Sequence, residues 1–311
     1  MGGAVTAPTA APARPGRARL RAALLPALPL ARVRALRSLL YAVVILDVLT
    51  FSRDVLSHTG NAAFYTPVAL ARVLHLPPVT MPLAVTLLAL ILAGCAAGIA
   101  GHRPRLAGTV VALAYWPWML YSNSYGYVAH DHLALMVAVA VLPTVSGASR
   151  RELAAARADA VESDTARADG PVGAPAHPPS SEAAGWALRC VQLAVVATYF
   201  FSVIPKILYS GSLAAWGNSA ILTWASIRRG SALAHWLVAH APWVFVPAQW
   251  AGLALEALSP VVLFLRGRAL YVAVGLYLCF HLSTLVLLGI HFLPTAVCWA
   301  AFLPLERLRR R

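Results

Sequence analysis

Long apolar blocks separated by short polar stretches recur along most of this chain. A helix needs about 20 predominantly apolar residues to cross a bilayer. Run length alone predicts eight spans, at about residues 36–52, 79–100, 106–122, 130–145, 186–208, 246–265, 269–289 and 292–305. The first block carries Asp47, the sixth Glu256 and the seventh His281. The expected fold is an all-α integral membrane bundle. Between the spans, residues 53–78 mix polar and apolar positions and end at Pro77-Pro78, which fits a short helix lying in the interface. Residues 209–245 carry Trp216, Trp224, Trp236 and Trp243, the aromatic density of interfacial helices folded over the mouth of a bundle.

Composition agrees with that pattern. The chain is 60% hydrophobic and 12% charged, against about 25% charged for soluble domains. Its net charge of +14 does not point to nucleic acid, because the arginines sit at the termini and in short loops rather than on one basic face. With the N-terminus inside, 20 of the 24 arginines fall on inside segments. The exceptions are Arg53, Arg72, Arg228 and Arg229. Arginine enrichment on one side sets orientation, so both termini are expected in the cytoplasm and the protein in a bacterial-type cell membrane, multi-pass. Residues 1–34 read as a disordered basic leader, residues 35–306 as the membrane domain, and residues 307–311 as a basic tail. Residues 148–184 hold six of the 11 acidic residues and then turn Gly, Pro and Ser-rich, the composition of a flexible cytoplasmic linker.

Chemistry concentrates near one depth. Lys206 is the single lysine among 25 basic residues and closes the fifth block. Lysine can lose its proton when desolvated, whereas arginine cannot. An ionisable residue at the end of an apolar span is a functional candidate; a lysine snorkelling to the interface explains the same position. His130, Asp131 and His132 open the fourth span, His281 lies about two turns below the outer end of the seventh, and Asp47 lies in the outer half of the first. Tyr121, Asn123 and Tyr125 crown the third. Asp131 also reads as an N-terminal helix cap, His130 as an exposed interfacial residue, and Glu256, nearer mid-span, as a structural hydrogen-bonding partner. Cys95, Cys190, Cys279 and Cys298 lie inside apolar blocks without metal-ligand spacing, so no metal is expected. Phosphate-loop, zinc-protease, serine-hydrolase and dinucleotide fingerprints are missing from the sequence.

At these residues the chain resembles the membrane part of vitamin K-dependent γ-glutamyl carboxylase and the wider horizontally transferred transmembrane (HTTM) family. The likeness lies in Tyr199-Phe200 followed by Lys206-Ile207 and Trp216, in Asp131-His132 before an apolar run, and in Phe280-His281-Leu282 followed by Gly289-Ile290 and Phe292-Leu293-Pro294. They occur in the family's chain order and cover about residues 35–305. The resemblance implies a reduced quinone, vitamin K or menaquinone, as cofactor. It implies that Lys206 is the base that deprotonates it, with His132 and His281 lining the quinone site and assisting. Asp131, Tyr199, Asn123 and Trp216 are the expected cofactor-binding residues. In the carboxylase, oxygen then adds, a strong base removes a glutamate γ-proton, carbon dioxide captures the carbanion and the quinone leaves as an epoxide. The chain departs from the family in carrying Pro205 where a small residue usually precedes the lysine, and in lacking a counterpart of the carboxylase's large lumenal region, so a peptide substrate stays open. Two other readings stay open as well: a non-catalytic membrane partner in peptide maturation, export or immunity, and a small-molecule transporter.

Overall fold

The structure, a computed structural model, describes residues 25–146, 158 and 179–309. The expected disorder of residues 1–24, most of the 148–184 linker and the terminal Arg310 and Arg311 lie outside the described residues. Helix dominates, apart from a two-residue antiparallel bridge that pairs Leu28–Pro29 (β1) with Ser180–Ser181 (β2). The chain is ordered earlier than the expected leader boundary at 34. Helix α1, Leu30–Leu46, starts directly after Pro29 and buries Leu30 and Val33. It leaves the α register in a π turn over Asp47–Phe51.

Short helices α2 (Asp54–His58) and α3 (Ala69–Val73) occupy the first polar connection. The hairpin of α4 (Met81–Ala100) and α5 (Pro104–Ser122) follows. Its turn is written locally. Gly101 takes the left-handed C-cap at φ 74°, and Pro104 opens α5 with the φ a first helical turn requires. Small residues then let the helices close in. A Cβ on Gly98 would lie 2.4 Å from the Tyr41 ring of α1, and one on Gly94 2.7 Å from Val111 of α5. Gly98→Val is therefore expected to overpack this three-helix contact at a cost of about 1–3 kcal/mol. A lowered thermal midpoint in detergent, partly recovered by Tyr41→Ala, checks it.

The fourth apolar block forms a 3-10 turn at His130–His132, then α6 (Leu133–Val141) and a second 3-10 turn. The fifth forms α7 (Glu182–Phe200) and α8 (Val203–Ser210), separated at Phe201-Ser202. Pro205 accounts for the break: it lacks an N–H to donate and its ring crowds the carbonyl four residues earlier. Helices α9 (Leu213–Trp216), α10 (Ala220–Arg229) and α11 (Ala232–His240) form the expected cluster of short helices, with Trp224 and Trp236 exposed. Last come α12 (Phe245–Leu258), α13 (Gly267–Leu288) and α14 (Leu293–Cys298).

Every expected block thus falls on helix. Four helical segments are long and apolar enough to cross a membrane among the described residues: Met81–Ala100, Glu182–Ser210, Pro242–Phe264 and Gly267–Leu288. His130–Thr144 and Leu293–Phe302 are apolar and shorter. Only 17% of the apolar window of α13 is buried. Its Val272 and Leu282 are therefore turned outward, as a lipid-facing helix requires.

Candidate functional site

The π turn sets the position of the most buried acid. A π turn inserts one residue into the helical register, and here it turns both Asp47 and Val48 inward with no exposure. The Ser52 N–H closes the wide turn on the Asp47 carbonyl at 2.9 Å. An isolated buried carboxylate is costly, so donors must surround it. They come from three helices. Tyr115 of α5 donates its hydroxyl to Oδ2 at 2.8 Å, Ser52 donates to the same oxygen at 3.1 Å, and Nε2 of His132 lies 2.8 Å from Oδ1. Trp118 in turn donates its indole N–H to Ser52 Oγ at 2.9 Å.

His132 is held from both sides, since its Nδ1 lies 3.1 Å from Oδ1 of Asp131. Ionised carboxylates only accept. Both contacts are hydrogen bonds when two protons are shared among the three groups, which leaves the triad with one net negative charge. Asp131 does not cap the fourth helix, for that end has no side-chain cap. Its side chain goes to His132, and its carbonyl accepts the Thr295 hydroxyl of α14.

A second cluster stands beside it. Tyr199, at the end of α7, accepts the Trp299 indole N–H at 3.0 Å. Its own hydroxyl proton is left for Nε2 of His281, with which it is in close contact. A neutral His281 that accepts at Nε2 carries its proton on Nδ1, and Nδ1 is buried without a hydrogen-bond partner. Tyr277 stacks on Trp299 with ring centroids 4.1 Å apart and meets the Tyr199 ring edge-on at 5.0 Å, which fixes the phenol.

Lys206, on α8 just past the break, pairs with Glu256 of α12. Its Nζ lies 5.6 Å from the centroid of the Trp216 ring, within cation–π range. Lys206 is thus tied to a carboxylate rather than snorkelling free. Glu256 is the residue whose role the sequence understated: from mid-span it reaches the lysine 50 positions earlier.

These groups meet at a cavity of about 90 Å³ lined by Asp131, Tyr199, Glu256, Phe280, His281 and Phe292, among others. Of the expected site residues, Asp131, Tyr199 and His281 line it. Lys206 reaches it through Glu256. His132 stands one residue behind, lining an adjoining cavity of about 360 Å³ with Asp54, His130 and Arg229. Trp216 carries the lysine and does not line the cavity. Asn123 lines neither cavity; its amide donates to the Met119 carbonyl and its oxygen accepts the Ala129 N–H, which holds the loop before His130. His130 is exposed, as expected, yet borders both cavities. At the edge of the larger cavity, outside the apolar blocks, burial raises the Asp54 carboxyl above its ordinary value against the pull of His58 and Ser122. Burial lowers His58, 3.6 Å away, against the pull of Asp54.

The architecture defines an all-α protein of membrane type with a buried cluster of acids, histidines and phenols between its helices. Comparison with known proteins gave no match to a family model, a curated protein or a solved structure.

The cavity's lining is mostly apolar, with a few polar groups among the rings. Its walls offer the flat aromatic surfaces of Phe280, Phe292 and Tyr199 with the Glu256 carboxylate as an acceptor, and Nδ1 of His281, a lining residue, is buried without a partner. A hydroquinone presents the same combination, an apolar ring with hydroxyls that both donate and accept.

Proposed function

We propose that the chain is an eight-span membrane enzyme of the HTTM type, with both termini on the arginine-rich cytoplasmic side. It takes a reduced quinone at the cavity between α7, α12, α13 and α14. One observation carries this reading: two acids, a tyrosine and a histidine from separate helices line one small space beside apolar surface, and the single lysine pairs with one of those acids. Lipid-facing apolar helices are consistent with delivery of an apolar cofactor from the bilayer.

When bound, the reduced quinone supplies, with oxygen, a base strong enough to remove a carbon-bound proton from a substrate at the outer face. The protein's part is to hold and move protons. Glu256 faces the cavity and takes a hydroxyl proton there, and Lys206 lies against it and receives that proton in turn. Drawn as carboxylate and ammonium, the pair is the product side of this transfer. The reactant side has an uncharged Nζ, which lysine reaches and arginine does not. His281 donates from Nδ1 to a ligand oxygen, while Tyr199 and Trp299 hold its ring. Asp131 and Asp47 hold His132 behind the wall. The substrate, a peptide glutamate or another activated C–H, follows from the resemblance and not from the cavity.

The test is quinol turnover. Purified protein supplied with reduced menaquinone or vitamin K and oxygen is expected to form the quinone epoxide, detected by mass spectrometry, with Lys206→Ala as control. Epoxide that forms equally in the control removes the reading. Tyr199→Phe strands both the Trp299 N–H and His281 Nε2, two lost hydrogen bonds, and is expected to lower turnover about tenfold or more, since leaving even one buried polar group unpaired costs about 1–3 kcal/mol. Wild-type turnover in Tyr199→Phe removes His281's positioning from the mechanism.

A second reading, a non-catalytic membrane partner in peptide maturation, export or immunity, is favoured by one observation. A cavity of about 90 Å³ takes only a small molecule unless Phe280 or Phe292 moves. Purified protein that neither retains nor binds menaquinone decides for it.

A further inference from the structure

A cavity of about 450 Å³ lies at the opposite end of the bundle, between the start of α1, the first half of α7, the start of α13 and the segment after α14. On α13 the cavity-lining Tyr271 precedes His281 by ten residues, about 15 Å of helix. Arg32, Arg189, Arg266 and Arg307 line it, and no acidic residue does among the described residues. Glu306 stands just behind and binds Arg32 at 2.8 and 2.7 Å through Nε and Nη2. Arg266 and Arg307 are exposed, and their side chains make no hydrogen bond or ion pair among the described residues. Leu270 and Phe302 give the same space an apolar wall.

Arg32, Arg266 and Arg307 bring three guanidinium groups to one space, where Glu306 binds Arg32 and also attracts Arg307. Arginine recurs where phosphate must be bound, because its planar fork matches phosphate oxygens two at a time. Basic pockets between membrane helices on the arginine-rich side receive anionic headgroups. Here Arg32 is already oriented by Glu306, and Leu270 and Phe302 place apolar surface in the same cavity. We propose that this cavity binds a phosphate group, with Arg266 and Arg307 as its principal ligands and Arg32 as a preset third. The inference rests on the membrane character of the helices and is independent of any chemistry at the other cavity.

The experiment uses the full chain in detergent. Dioleoylphosphatidylglycerol, inorganic phosphate and a phosphate-free diacylglycerol are titrated separately while the thermal midpoint is followed and retained lipid is read by native mass spectrometry. The comparison protein carries Arg266→Gln and Arg307→Gln, exposed positions whose loss leaves the fold intact. Phosphatidylglycerol is expected to raise the midpoint and stay bound, with affinity falling roughly thirtyfold in the double variant, the loss expected for two interfacial cations. A midpoint shift with inorganic phosphate alone that the variant abolishes assigns the site to a free phosphate compound. No shift with either phosphate probe, or equal shifts in the variant or with diacylglycerol, overturns the proposal.

Discussion

Glu256→Gln is expected to stop quinol-dependent epoxide formation while leaving the bundle folded. The amide keeps the size of the side chain and a hydrogen bond to Lys206, but it takes no proton from the cavity. General-base groups contribute about 10²–10⁴-fold, and a fall in turnover of that size is expected. Lys206→Arg tests the second half of the relay, because it keeps the positive charge beside Glu256 and the stack on Trp216 while removing proton exchange. It is expected to fall by a similar factor. Wild-type turnover in Lys206→Arg reduces the lysine to a counter-ion; wild-type turnover in Glu256→Gln removes the carboxylate from the path. Residual quinone binding in both variants, read from co-purified menaquinone, separates lost chemistry from lost binding.

The largest effect on stability is expected at Asp47. Its carboxylate accepts from Tyr115, Ser52 and His132 in a space with no exposure. Asp47→Ala leaves three donors facing a void, and removing one member of a buried charged pair costs about 3–5 kcal/mol. Asp47→Asn retains one acceptor and turns an amide donor toward the others, so it is expected to cost less. Asp131→Asn, which disturbs a single contact to His132, should cost least of the three. Thermal midpoints in one detergent order the variants, and an Asp47→Ala midpoint close to wild type refutes the account of this cluster.

Much of this was legible in the sequence, for identifiable reasons. The apolar blocks fixed where helices lie, since block length and helix length answer to the same bilayer dimension. Lys206, isolated among arginines, lies against Glu256 beside the cluster, and Asp131, Tyr199 and His281 line one cavity. The missing parts are relations across the bundle. That Glu256 faces Lys206 depends on how α12 is rotated against α8, and an apolar sequence with one acid leaves that angle open. Tyr115 and Trp299 sit inside apolar blocks as ordinary aromatics, and only their partners, Asp47 and Tyr199, reveal their polar ends. Asn123 shows the converse: its place above a span reads like a ligand, and in the structure its short amide bonds the backbone of its own loop. The start of α1 at Leu30 was hidden by the prolines at 26 and 29, which mark the approach to the helix rather than continued disorder.

The wide turn at Asp47–Phe51 has a consequence for changes in chain length. It is equivalent to one surplus residue spliced into α1, and a helix advances about 100° for each residue. Deleting a single position among 48–51 removes that surplus: an ordinary α-turn forms, Ser52 closes on the Asp47 carbonyl as the fourth residue on rather than the fifth, and the residues beyond keep their places. A deletion within Leu30–Leu46, where no surplus is stored, would instead turn Asp47 by that angle off the donors that surround it. The wide turn is thus the place in α1 where the loss of one residue is absorbed.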